Sequence, residues 1–461
     1  MIARSAASLA ERTGGLLEGA DVPFETVVTD SRAVAAGDCF VALSGPRFDG
    51  HDFLEDVAAA GAAVALVTRH ASVSLPQVRV ADTLDALQRW AGAWRRSFTL
   101  PVVGITGSNG KTTLRALLEA VLAPLGPLLA TRGNLNNHIG VPLTLCRLRA
   151  EHIVAVVEMG ANHPGEIAGL AAMAQPEIGI VTNSGDAHLE GFGSREGAAR
   201  GEGAELLEVL PASGVAIFNA DDAYAELWRA SSTAGRQIGF GLGPEADVTA
   251  RDIRLEDAGS RFTLMLPEEA AAVSLPLPGR HNVHNALAAA AAAHALGLDA
   301  SRVAAGLAQV RVPTGRLVPL TARRGARVID DSYNANPGSL AAAVDWLAQM
   351  RGHRVLALGD MAELGATAVE LHAAAGRAAR AAGIEALFAA GPLAAHAAEA
   401  FGPGAEAFAH AESLAAALRE RVAPDWVVLV KGSRAAAMEQ VVAALRENDG
   451  STGETHALPP R

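Results

Sequence analysis

The sequence predicts an α/β protein of three domains: a small N-terminal α/β unit over 1–81, a central domain with a mostly parallel sheet over 82–314, and a C-terminal Rossmann-like unit over 315–448. A polar tail over 449–461 is expected to be disordered. Three observations predict this. At 461 residues the chain exceeds what one hydrophobic core serves. Half of the residues are apolar, 47 are glycine and 4% are aromatic, which suits alanine-rich helices packed on parallel strands. Short strand-like runs also alternate with helical stretches, the order that parallel strands with crossover helices require.

In the first unit, Thr26-Val27-Val28-Thr29, Cys39-Phe40-Val41-Ala42-Leu43 and Ala63-Val64-Ala65-Leu66-Val67 read as strands, with a helix near 53–60. A polar helix from Thr83 to Arg96 leads to Pro101-Val102-Val103-Gly104-Ile105-Thr106, a buried strand that runs into a glycine-rich loop. Ile153-Val154-Ala155-Val156-Val157, Ile178-Gly179-Ile180-Val181-Thr182 and Gly214-Val215-Ala216-Ile217-Phe218 supply further central strands. The run from Leu287 to Ala293 reads as a buried alanine-rich helix. After Arg316 the pattern restarts with Arg327-Val328-Ile329-Asp330, Arg354-Val355-Leu356-Ala357-Leu358, Ala386-Leu387-Phe388-Ala389 and Trp426-Val427-Val428-Leu429-Val430.

A net charge of −12 with no basic run argues against nucleic-acid binding. Cys39 and Cys146 are too few for a disulfide framework and lack metal-ligand spacing, which fits a reducing cytoplasm. No apolar stretch reads as a signal peptide or a membrane span. Oligomeric state is not legible, a monomer being favoured.

Only two of the 38 basic residues are lysine, and each stands beside glycine, in Gly110-Lys111-Thr112-Thr113 and Lys431-Gly432-Ser433. Arginine is a planar fork, so lysine retained at these two places points to a need for a slim point charge. The alternative is a coding bias toward arginine with two chance survivors. Thr106-Gly107-Ser108-Asn109-Gly110-Lys111-Thr112-Thr113 joins a buried strand to a helix, so its backbone N–H groups can surround a phosphate at the positive helix end. Lys111 then reaches the terminal phosphates and Thr112 offers its hydroxyl to Mg2+. Ile105 stands where the G-x-x-x-x-G-K-[ST] pattern has its first glycine, leaving the shorter G-x-x-G-K-T form. The central domain is therefore expected to be a P-loop ATPase domain using ATP and Mg2+.

Glu158 and His188 each follow a predicted strand, where ligands of such sheets gather. Either alone reads as readily as a structural hydrogen-bonding residue, and it is the series of polar strand ends that points to a metal site. Asn282 and Asn285 open the alanine-rich helix and suit either a base edge or a helix cap. Asp330-Asp331-Ser332-Tyr333-Asn334-Ala335-Asn336-Pro337 is dense in polar groups suited to ribose or to a reacting amine and carboxylate.

Together these segments resemble the Mur ligase family over residues 25 to 445. The resemblance rests on Asp30-Ser31-Arg32 and Asp49-Gly50-His51, the loop 106–113, Glu158 to His163, His188 to Gly193, Gly279 to Asn285, Asp330 to Pro337, Gly359-Asp360-Met361-Ala362-Glu363-Leu364-Gly365, and Lys431-Gly432-Ser433-Arg434. The segments near 331 and 359 are similar to those of the subgroup that adds D-alanyl-D-alanine to UDP-N-acetylmuramoyl-tripeptide. The Asp-Asn-Pro-Arg motif of the sibling that adds diaminopimelate or lysine is absent.

The resemblance implies ATP-dependent amide formation through an acyl phosphate, with small-molecule partners. It implies that Gly107, Ser108, Asn109, Gly110, Lys111 and Thr113 hold the phosphates, Thr112 and Glu158 one Mg2+ and His188 a second. Asn282 would meet adenine, Arg316 the γ-phosphate and Asp331 the ribose. Ser31, Arg32, Asp49, Gly50 and His51 would lie at the uridine nucleotide, and Asn334, Asn336 and Lys431 nearer the dipeptide. The domains are expected to close around the substrates, with hinges near 82 and 315.

One position departs from the family. Relatives carry a lysine about fourteen residues after the histidine matching His188, carbamylated to help hold the second Mg2+. Glu202 stands there in this chain, and both lysines are already assigned. Glu202 is expected to supply the carboxylate directly, with Glu205 the fallback one turn on; the alternative is that both are solvated.

Three other readings compete with this one. A folylpolyglutamate- or cyanophycin-type ligase shares the loop but not the first-unit and 331–337 patterns. An ATP-hydrolysing scaffold would release phosphate without needing acceptor and amine. A dinucleotide dehydrogenase lacks its G-x-G-x-x-G after a strand.

Overall fold

The computed structural model describes residues 3–186 and 188–446; the tail expected over 449–461 lies outside them. The chain is α/β throughout. Strands β1 (Leu16–Glu18), β2 (Val27–Val28), β3 (Cys39–Val41), β6 (Val64–Val67) and β7 (Gln77–Arg79) form a sheet in the order β1-β7-β6-β3-β2, and β4 (Ser44–Gly45) pairs with β5 (Phe48–Asp49) as a small hairpin. The central sheet comprises β8 (Val102–Thr106), β9 (Leu128–Ala130), β10 (Val154–Glu158), β11 (Ile178–Val181), β12 (Val215–Asn219) and β13 (Arg236–Phe240), in the order β13-β12-β11-β8-β10-β9. All its pairings are parallel. Its middle strands are apolar on both faces because helices cover both sides.

A three-stranded sheet of β14 (Thr249–Glu256), β15 (Gly259–Met265) and β16 (Ala270–Leu275) follows. It was not anticipated from the sequence: alanines at the start of β16 blur its alternation, and Asp252 within β14 takes a left-handed backbone at φ 54° that its residue type does not announce. The last sheet holds β17 (Val318–Thr321), β18 (Arg327–Asp331), β19 (His353–Gly359), β20 (Ala386–Ala390), β21 (Ala405–Phe408) and β22 (Trp426–Lys431), in the order β17-β18-β22-β19-β20-β21. Only the edge strand β17 runs antiparallel. The strands bury Leu356, Leu358 and Leu429 on one face against helices Pro337–Leu347, Ala368–Ala381 and Ala394–Phe401. Val355, Ala357 and Val428 lie on the other, against Ala411–Arg421 and Glu439–Leu445. This period-two partition is that of a doubly wound sheet.

Packing divides the chain into two compact units, one holding the first two sheets and the other essentially the chain from Val312 onward. The helix Thr83–Arg96 explains why the first two sheets belong together. Asp82 caps it by accepting from the Leu84 and Asp85 amides. It is not the polar helix expected: Leu87, Trp90, Ala91 and Trp94, spaced three to four residues apart, form one apolar stripe. Trp90 and Trp94 stack at 6.1 Å, and Phe24 meets Trp90 at 5.5 Å. That stripe shares a single core with Val27 and Val41 of the first sheet and Val102 and Val157 of the second. Both cysteines are fully buried in this core, which pushes the Cys146 thiol up to about 12 and makes both thiols poor nucleophiles. No described helix is long and apolar enough to cross a membrane.

Candidate active site

The glycine-rich loop leaves the end of β8 and enters the helix Lys111–Leu122, whose N-cap is Gly110 at φ 87°. A Cβ on Gly110 would fall 2.4 Å from Asn285 Oδ1, and one on Gly107, at φ 116°, would fall 2.3 Å from Thr182 Oγ1. Both positions therefore require glycine on conformational and steric grounds. Asn183 braces the turn: its Oδ1 accepts from the Asn109 amide at 3.1 Å and its Nδ2 donates to the Asn109 carbonyl at 3.0 Å. The helix N-terminus, with its unpaired amides and positive dipole end, thus opens at the loop beside the Lys111 side chain. Lys111 folds back onto the Gly107 carbonyl, and Thr113 is buried on the core side of the helix.

Glu158 ends β10, beside β8, and is 2% exposed. Its Oε1 accepts from Thr112 Oγ1 at 3.2 Å and Asn136 Nδ2 at 2.9 Å, while Arg115 stands 3.4 Å from Oε2. Arg115 and Asn136 were not anticipated as site residues. Arg115 lies one turn after Lys111 on the same helix, and Asn136 sits in the asparagine cluster Asn134-Leu135-Asn136-Asn137, so spacing and composition were the available signals.

Glu202 is 1% exposed and reaches the loop from across the sheet. Its Oε2 accepts from Ser108 Oγ at 2.6 Å, and its Oε1 lies 3.7 Å from the Lys111 ammonium. It stands in a π-helical turn, Ala199–Ala204. In an α-helix residues three apart share a face, but the wider π turn rotates them apart. Glu205 accordingly points elsewhere, accepting from the Gly165 and Ala168 amides at the start of helix Glu166–Ala174. Trp228 donates to the Ala199 carbonyl at 2.9 Å, holding one of the carbonyls that the widened turn displaces.

His188 is half-buried, with a left-handed backbone at φ 54°, immediately before the short helix Leu189–Phe192. Asn282 is the third residue of helix Arg280–Ala295, which packs on Lys111–Leu122, and Asn282 Oδ1 accepts from Asn285 Nδ2 at 3.1 Å. Both asparagines are buried.

In the N-terminal part of the same unit, Asp30 caps the short turn Ser31–Ala33 and chelates Arg32 at 2.9 and 2.7 Å, leaving Arg32 exposed. Asp49 accepts from the His51 amide at 3.0 Å and Ser44 Oγ at 3.0 Å, contacts His51 Nδ1 at 2.6 Å and pairs with Arg69 at 2.9 Å. Because the Thr68 amide donates to His51 Nε2 at 2.9 Å, neutral His51 carries its proton on Nδ1 and donates it to Asp49. The His51 amide foremost, then the His51 ring, Arg69 and Ser44, outweigh desolvation and hold the Asp49 carboxyl well below the usual carboxylate range. Gly50 allows this hairpin to close, since a Cβ there would lie 2.9 Å from Ala42 Cα.

The second compact unit holds the remaining predicted residues. Arg316 lies over the Tyr333 ring at 4.4 Å, between Gly315 at φ 72° and Leu317 at φ 52°. Asp331 ends β18 and accepts from the Leu317 amide at 3.3 Å and from Lys431 Nζ at 2.6 Å. Lys431, at the end of β22, also donates to the Asn334 carbonyl at 3.0 Å. It is 1% exposed, and burial lowers its pKa against the pull of Asp331. Asn336 caps helix Pro337–Leu347 by accepting from the Ser339 amide.

Glu158 Oε2 and Glu202 Oε1 are buried and accept no hydrogen bond, so the loop is flanked by two anionic oxygens with lone pairs to spare. That donor set fits Mg2+, a hard cation that takes one or two carboxylates and completes its shell with phosphate and water. Among the described residues, no cluster of three His, Cys, Asp or Glu side chains forms a metal cage of its own.

Three family models match the chain: the Mur ligase family catalytic domain over residues 23–95, the Mur ligase middle domain over 105–293 and the Mur ligase glutamate ligase domain over 315–434. The UDP-N-acetylmuramoyl-tripeptide–D-alanyl-D-alanine ligase of Escherichia coli is 45% identical over 453 residues, spanning 97% of this chain and 99% of that one. Among solved structures, MurF from Acinetobacter baumannii matches with a TM-score of 0.89 at 36% identity, covering 96% of this chain and 99% of that one. MurF from Thermotoga maritima in complex with ADP matches with a TM-score of 0.81 at 27% identity, covering 91% and 96%.

Proposed function

Since this chain belongs to the Mur ligase family, we propose that it joins D-alanyl-D-alanine to UDP-N-acetylmuramoyl-tripeptide at the expense of ATP. The products are UDP-N-acetylmuramoyl-pentapeptide, ADP and phosphate, in peptidoglycan precursor synthesis. The observation that carries this reading is the 45% identity to the E. coli D-alanyl-D-alanine ligase across 97% of the chain. The phosphate loop and its flanking carboxylates support it independently.

The reaction has two steps. The terminal carboxylate of the tripeptide attacks the γ-phosphorus of ATP, the bond to the bridging oxygen breaks, and ADP leaves an acyl phosphate. The amine of D-alanyl-D-alanine then attacks the acyl carbon, expels phosphate and loses a proton. The first step brings two anions together, so positive charge must be placed in advance. Lys111 and the amides at the start of Lys111–Leu122 supply it, with Gly107, Ser108, Asn109 and Gly110 shaping the cradle. Mg2+, when bound, neutralises phosphate charge as it develops. Thr112 and Glu158 would hold one such ion, with His188 and Glu202 at a second position.

Asn282 serves the adenine, Arg316 the γ-phosphate and Asp331 the ribose. Ser31, Arg32 and the Asp49-Gly50-His51 hairpin serve the uridine nucleotide, where the Asp49–His51–Thr68 chain fixes the imidazole tautomer. Asn334 lies toward the dipeptide. Lys431 and Asn336, both buried, act by holding the 331–336 segment in place. The cytoplasm is the compartment this reading assigns.

The test is phosphate release from Mg-ATP with UDP-N-acetylmuramoyl-tripeptide, with and without D-alanyl-D-alanine. Release that depends on both substrates supports the ligase; release indifferent to the dipeptide moves the protein to another ligase or to an ATP-driven binding protein.

A further inference from the structure

The Glu202 carboxylate is placed where its sign matters twice. It is almost wholly buried, takes the Ser108 hydroxyl at 2.6 Å and lies 3.7 Å from the Lys111 ammonium. It cannot swing away with its backbone. A Cβ on Gly201 would fall 2.4 Å from Phe192 Cε1 and one on Gly203 2.1 Å from Trp228 Nε1, so the π-helical turn that carries Glu202 is clamped on both sides.

Resting on the reading of the loop as the nucleotide-phosphate site, we infer that Glu202 makes nucleotide binding conditional on a divalent cation. A polyphosphate that enters without a cation meets a fixed, desolvated negative charge, which also competes for Lys111 and Ser108. In so dry a place the repulsion is poorly screened. With a cation between them the same carboxylate becomes attractive, because Glu202 Oε1 accepts no hydrogen bond and has a lone pair to give. The residue therefore opposes free nucleotide and favours the magnesium complex. A neutral side chain at this position would do neither. The carboxylate is part of the side chain, so this coupling needs no bicarbonate to create it.

The experiment is calorimetric titration of the full-length protein with ADP, in excess EDTA and in saturating Mg2+, which reads binding without turnover. Wild-type protein is expected to bind ADP on the order of a hundredfold more weakly in EDTA. Glu202→Gln is expected to bind roughly tenfold more tightly than wild type in EDTA and roughly tenfold more weakly in Mg2+, so that the ratio collapses. Glu202→Asp, which keeps the charge, should retain most of the EDTA penalty. Equal wild-type affinity in the two conditions overturns the inference whether or not a variant folds. A Glu202→Gln protein weakened by the same factor in both also overturns it, since that marks a structural role. In both of these outcomes ADP still binds and the nucleotide reading stands. No ADP binding in either condition overturns the inference together with that reading.

Discussion

Lys431 Nζ donates to Asp331 Oδ2 at 2.6 Å from a position that is 1% exposed, a hundred residues away along the chain. The pair closes the ends of two adjacent parallel strands, β18 and β22, and a second bond to the Asn334 carbonyl ties the following loop to it. A lysine kept in a chain that otherwise uses arginine makes sense here, because a slender ammonium fits a fully enclosed place that a guanidinium fork would overfill.

Replacing Lys431 by methionine leaves the Asp331 carboxylate buried without its counter-charge. A broken buried pair costs about 3–5 kcal/mol. Urea unfolding of Lys431→Met should show a loss of that order, with Lys431→Arg also destabilised; a variant as stable as wild type would contradict a structural role for the pair.

Gly110→Ala should impair the loop more than the fold. The new Cβ meets Asn285 Oδ1 at 2.4 Å and the backbone must stay at φ 87°, a conformation costing about 1–2 kcal/mol for an L-residue. The expected outcome is at least a roughly tenfold loss of Mg-ADP affinity, since about 1.4 kcal/mol is a factor of ten, with far-UV circular dichroism unchanged.

The helix Thr83–Arg96 carries a third prediction. Trp90 is 1% exposed and lies in the core shared by the first two sheets. Trp90→Ala should cost about 3–5 kcal/mol. Amide exchange should accelerate together in β3 and β8, and exchange confined to the N-terminal sheet would argue against a shared core.

Acid stability should depend on Asp49. Its folded pKa is depressed, so it contributes stability that is present above the ordinary aspartate range and is lost as pH falls through the lower, folded value. Melting temperature followed from pH 7 downward should fall less steeply below the ordinary aspartate range for Asp49→Asn than for wild type. Parallel curves would show that the hairpin network contributes nothing.

Much of this was legible in the sequence because its strongest signals are local. The strand–loop–helix around Lys111 and the β-branched runs of the last sheet declare themselves by composition and period. The Trp90–Trp94 stripe was missed because arginines and an aspartate on the opposite face dominate the window. Lys431's pairing with Asp331 and Arg115's approach to Glu158 were not legible, since parallel pairing and helix packing join residues far apart in the chain. Glu202 stood out by its place in a family pattern, yet the separation of Glu202 from Glu205 depends on a π-helical turn. Two glycines and an alanine around Glu202 carry no propensity signal for such a turn, which is held by Phe192 and Trp228 instead.

The most direct test of the account follows the bond that forms. Purified protein would be given Mg-ATP, D-alanyl-D-alanine and UDP-N-acetylmuramoyl-tripeptide labelled with heavy oxygen in its terminal carboxylate, and the product and released phosphate would be read by mass. The account predicts a product equal to the two substrates less one water, formed only with every component present, and phosphate carrying one labelled oxygen from the carboxylate. Phosphate released at the same rate without the dipeptide, or free of label, would contradict it.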